Sequence, residues 1–140
     1  MSLMMSLCNK PRIFALLLLC SVMSSVSYAE EDEKTIPAYV ELKPNFVVNH
    51  VGNESKLKYI KTSISIRTNE TQKILIENNM PIVRDAIVMF LSSRTTEQVT
   101  GAIAREKTRE EAAIAVNTAL EEETGLSPVQ DILFASFVTQ

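Results

Sequence analysis

Tryptophan is absent from this 140-residue chain, histidine occurs once, at His50, and the two cysteines, Cys8 and Cys20, both fall in the first twenty positions. Without tryptophan, and with only three Tyr and five Phe, a stacking platform for bases or sugars has little to work with. A lone histidine removes most general-base and serine-nucleophile arrangements. With no second histidine and no cysteine beyond position 20, a transition-metal site has one good ligand at most. Three Gly and five Pro exclude a collagen-like or low-complexity chain, and no glycine-rich phosphate loop is present. Basic residues are outnumbered, 14 to 17, which argues against a nucleic-acid binder. The inventory points to a non-enzymatic protein with no cofactor.

What is present begins with an address. Lys10 and Arg12 precede an unbroken apolar run, Ile13 to Cys20, and small residues stand at Ser27 and Ala29. These are the three parts of an export signal, with cleavage expected between Ala29 and Glu30. The competing reading is a retained membrane anchor. A spanning helix needs about 20 apolar residues, and the seventeen from Ile13 to Ala29 include four serines. Removing residues 1–29 takes away two bases and no acid, so the charge moves from −3 to −5. Both cysteines leave with it, and the exported part must be held together by burial alone.

Residues 30–38, opening on Glu30-Glu-Asp-Glu33, read as a charged tether. Val40, Leu42, Phe46 and Val48 then alternate with polar residues, as do Ile60, Thr62, Ile64 and Ile66. The pair reads as a hairpin around Gly52-Asn53, with His50 in a solvent-facing turn. Pro44 confines the first strand to an edge or a bulge. Asn69 and Gln72 have capping-box spacing before a short helix near 70–79. Pro81 opens a second helix, whose apolar stripe is Ile82, Val83, Ala86, Ile87, Phe90 and Leu91. Thr95 and Gln98 make another capping box and open a third helical stretch. Gly101 weakens it near its start, and it runs to about Glu123, where Gly125 and Pro128 stop it. The apolar side of that stretch is expected to be Ala102, Ala113, Val116 and Leu120. The last strand, 129–138, is apolar on both faces: Leu133, Ala135 and Phe137 on one, Ile132, Phe134 and Val138 on the other. The order β-β-α-α-α-β gives an α+β domain, a hairpin plus C-terminal strand with helices on one side. A helical crossover is expected to bring the last strand in parallel to one hairpin strand.

With these elements placed, the segments Tyr39 to Asn49, Lys58 to Ile66, Met80 to Thr95 and Asp131 to Gln140 together resemble the flagellar basal-body-associated FliL family. The resemblance covers residues 39–140. It implies a stomatin-like fold that assembles into rings and a domain facing the periplasm at the inner membrane. It also implies association with the stator units of the flagellar motor and an influence on torque, rotational direction, swimming and chemotaxis. No catalytic residue comes with it. The alternative is a soluble periplasmic adaptor or chaperone-like binder acting away from the motor.

Candidate contact residues follow from local conflicts. Arg84 and Asp85 sit near the start of the second helix, away from its apolar stripe, as a contact for a second copy or the motor. Glu121, Glu122 and Glu123 put three negatives at a helix C-terminus, opposing its dipole, and suit a basic partner or a divalent cation. Leu133 and Phe137 offer the extra apolar face of the last strand for self-association.

Overall fold

The computed structural model describes residues 36–52 and 58–140; the expected cleavage site at Ala29 and Glu30 lies outside them. Strands β1 (Pro37–His50) and β2 (Lys58–Asn69) are followed by helices α1 (Glu70–Asn78), α2 (Met80–Ser92), α3 (Thr96–Val99) and α4 (Ala102–Thr124), and then by β3 (Asp131–Thr139). The expected α+β class holds. The first strand starts earlier than its alternation announced. Pro37 and Ala38, read as tether, pair with Asn69 and Thr68, and Ala38 is buried.

The sheet order is β1-β2-β3, and both pairings are antiparallel. The hairpin is therefore as expected, whereas the parallel final strand is not. The chain leaves β2 at Asn69, and after the helices Gln130 N–H donates to the carbonyl of Arg67 (2.9 Å). A strand that begins where its neighbour ends must run the other way, however many helices intervene.

Two register shifts decide which residues face inward, and their parity differs. In β1 the pairing passes from Leu42↔Ile64 to Phe46↔Thr62, with Pro44 inside the irregularity. Two extra residues leave the alternation intact, so Val40, Leu42, Phe46, Val48 and finally His50 all point to the core. In β3 the pairing passes from Phe134↔Ile64 to Ser136↔Ser63. One extra residue, Ala135, reverses the alternation. The expected Leu133–Ala135–Phe137 face does not exist as a result. Ile132 is buried, Phe134 and Phe137 pack against the core with ring centroids 4.9 Å apart, and Leu133 and Val138 face out.

The helices cover the inner face of the sheet. Asn69 caps α1 by accepting from the N–H of Gln72 (2.8 Å), and Pro81 lies in the first turn of α2. Val83, Ile87 and Leu91 of α2 are fully buried, with Ile82, Ala86 and Phe90 packed beside them. On α4 the buried residues are Thr108, Ala112, Val116 and Leu120. Ala102, assigned above to the apolar side, is exposed. The first turn of the helix faces β3 only across an open groove, so Ala102 has no core to pack against. Thr108 is tolerated inside because its hydroxyl donates to Gln98 O (2.8 Å). Asn117 clamps both backbone groups of Val129, at 2.8 and 2.9 Å, and Thr68 donates to Pro128 O (2.7 Å). These bonds aim the chain into β3.

The third helical stretch is two helices. Gly101 adopts φ +93° and ψ 162° and separates α3 from α4. That region is essentially closed to residues with a Cβ. A Cβ built there meets nothing within 4 Å, so the obstacle is the backbone itself. Gly101→Ala should cost about 1–3 kcal/mol, seen as a lower urea midpoint with an unchanged slope. Gly125, at φ +73°, ends α4 as expected, its N–H donating to Glu121 O (2.9 Å).

Candidate functional site

Helix α4 carries a groove on each side. The first lies between α2 and the last turns of α4, has a volume of about 380 Å³, and is floored by Ile82, Ala86 and Ala119. Its rim holds Asp85, Glu122 and Glu123. The structure thus gathers three of the residues singled out from sequence, although they lie almost forty positions apart. Among the described residues none of these three carboxylates makes an ion pair. An apolar floor under a negative rim suits a partner segment carrying Lys or Arg beside aliphatic side chains.

The other two residues of those charged groups lie elsewhere. Glu121 turns to the loop after α4 and accepts from Ser127 Oγ (3.1 Å). Arg84 is half-buried against the sheet, its guanidinium 4.3 Å from the centroid of the Phe46 ring. Its Nη1 is buried and has no hydrogen-bond partner among the described residues. Arg84 thus covers the core beside Phe46, apart from the groove that holds Asp85.

The second groove, about 520 Å³, runs between the first turns of α4 and β3. Leu133 and Phe137 both line it, with Arg105, Glu106 and Arg109 from the helix. They meet there because the groove follows the strand's edge, where both of its faces are within reach. Arg109 pairs with both Glu106 and Asp131 and so ties α4 to the start of β3. The hydrogen bond and charge of Arg109 hold the Glu106 carboxyl below its ordinary range, and Glu106 and Asp131 push the guanidinium pKa further up. Arg105 lies 5.7 Å from the Phe137 ring centroid. The arginines and Asp131 escaped sequence reasoning: a pairing from position 109 to 131 leaves no periodic trace.

His50 is also relocated. Only 6% exposed, it ends β1 on the inner side, and among the described residues neither ring nitrogen has a hydrogen-bond partner. It reads from sequence as a turn residue because the polar stretch after Val48 conceals two more residues of strand. Among the described residues no cluster of three His, Cys, Asp or Glu is placed to hold a metal ion. Nor, among them, is any helix long and apolar enough to cross a membrane.

The site is thus a set of open grooves along the long helix of an α+β layer. Comparison with known proteins gives this layer a family. A family profile described as "Flagellar basal body-associated protein FliL" matches residues 39–140. The "Flagellar protein FliL" of Aquifex aeolicus is 30% identical over 101 residues, 71% of this chain and 60% of that protein. The chain belongs to the FliL family, a family of flagellar accessory proteins and not of enzymes. It spans about 60% of the length of that curated relative.

Proposed function

We propose that this FliL-family chain associates with stator units at the flagellar basal body and modulates rotation, altering torque or direction and through them swimming and chemotaxis. The observation that carries the reading is the family match over residues 39–140, which takes in all of the sheet but its first two residues and all four helices. Residues 1–29 export the domain or hold it at the inner membrane, so that it acts from the periplasm. The carboxylates of Asp85, Glu122 and Glu123, unpaired among the described residues, support contact with a basic segment of the motor or of another copy. Its action is mechanical: copies gathered around a stator unit brace it in place.

A fluorescent fusion viewed in swimming cells tests this. Spots at flagellar bases that vanish when the stator proteins are deleted, with slower or misdirected swimming in the gene deletion, are the expected result. Diffuse fluorescence together with unchanged motility and switching in the deletion would overturn it.

A further inference from the structure

The two edges of the sheet are protected very differently. At β1 the edge carries Pro37 and Pro44, an irregular stretch through residues 43–45, and a Lys43–Glu41 ion pair at 3.0 Å. These are the usual defences against a strand adding itself from outside. At β3 the stretch Leu133 to Thr139 (Leu-Phe-Ala-Ser-Phe-Val-Thr) holds neither a charge nor a proline. Among the described residues no strand lies on its outer side. Its beginning is closed, because Ile132 N–H donates to the side chain of Asp131 (2.8 Å), which Arg109 also holds. Beyond the Ala135 bulge it is open. Tyr59 and Gln140 exchange both main-chain hydrogen bonds, at 2.9 and 3.0 Å. In an antiparallel ladder such pairs recur every second residue. Val138 therefore bonds inward to β2, and Phe137 and Thr139 turn their N–H and C=O groups outward. Ser136 also bonds inward: its hydroxyl accepts from Ser63 N–H (3.2 Å) and its carbonyl accepts from Thr62 Oγ1 (2.6 Å).

We infer that this edge, with the groove beside it, accepts an extended segment of another protein as a fourth strand, with a carboxylate of that segment meeting Arg105. Strand addition draws its affinity from main-chain bonds and its selectivity from alternate side chains. The selectivity here has two sources. Leu133, Phe134 and Phe137 give an apolar wall. Of the two groove arginines, Arg109 is neutralised by Glu106 and Asp131, whereas Arg105 makes no ion pair among the described residues. A guanidinium left beside an aromatic ring at an open strand edge favours an acidic strand over a basic one. The inference holds whether or not the chain acts on rotation.

The test uses the purified full-length chain in detergent micelles and a short synthetic peptide of alternating valine and glutamate. A valine–lysine peptide serves as its counterpart. Amide hydrogen exchange is read residue by residue. The glutamate peptide should slow exchange at Phe137 and Thr139, and the lysine peptide should not. Arg105→Glu, an exposed change, should reverse that preference. Thr139→Pro, which removes one outward N–H, should weaken binding about tenfold, equivalent to 1.4 kcal/mol. Unchanged exchange at both amides under saturating peptide would overturn the proposal, as would equal binding of the two peptides. Protection that appears without peptide and grows with protein concentration would also overturn it, since a second copy would then fill the edge.

Discussion

Substituting alanine for Phe46 should cost the fold about 3–5 kcal/mol. The ring is 2% exposed and stands just after the β1 irregularity. Two losses combine there. A cavity opens where the strand is already committed to an unusual register, so neighbouring backbone has little freedom to close it. The Arg84 guanidinium, 4.3 Å from the ring centroid, also loses the face it rests on. Among the described residues its Nη1 has no hydrogen bond to fall back on. Native domains are stable by about 5–15 kcal/mol, so this one change removes a large fraction of the total. Urea denaturation checks it: the midpoint should fall steeply with the slope unchanged. A loss below about 1 kcal/mol would mean that the ring lies outside the core. Phe46→Leu should cost far less, because it keeps most of the volume.

The second large effect compares two alanines ten residues apart on α4. Ala112→Glu should cost at least about 3 kcal/mol, the range for an unpaired buried charge, whereas Ala102→Glu should stay within about 0.5 kcal/mol. Ala112 is 3% exposed and belongs to the core, and Ala102 is in solvent. Circular dichroism melts of both variants decide the matter. Equal, mild effects would mean that the buried stripe of α4 has been misplaced.

That pair also marks where sequence reading stopped. Residues alternating at period two, or recurring every three or four, announced β1, β2 and α2, because each of those elements buries a fixed stripe. Helix α1, with only Ile76 buried, was announced instead by its capping pair Asn69 and Gln72. Helix α4 buries its stripe only from Thr108 onward. Its first turn meets β3 only across an open groove, so composition there says little about which way it faces. In β3 one residue, Ala135, changes the meaning of every later position, and nothing in Leu-Phe-Ala-Ser-Phe announces an insertion. Antiparallel pairing of β3 was hidden for a different reason: it depends on where the loop after Gly125 delivers the chain. Of the candidate contact residues, Asp85 was legible as a charge off the apolar stripe of α2, and Glu122 and Glu123 as negatives opposing the dipole of α4. That they share one groove is a fact of tertiary packing. Arg84 reads from sequence like Asp85, yet a long aliphatic stem lets it reach the sheet that the aspartate cannot.

The central position of β2 carries a kinetic consequence. Its partner on one side lies next to it in the chain, β1 ending at His50 and β2 beginning at Lys58, and hairpins close in about 1–10 μs. Its partner on the other side begins only at Asp131, with every helix of the domain in between. Closing so long a loop is entropically slow, and distant pairings of this sort govern folding speed across small proteins. The contact joining Ser63 to Ser136 is therefore the natural clock of refolding: a probe placed there would report the completed sheet, whereas one across Val48 and Ile60 would report only its opening half.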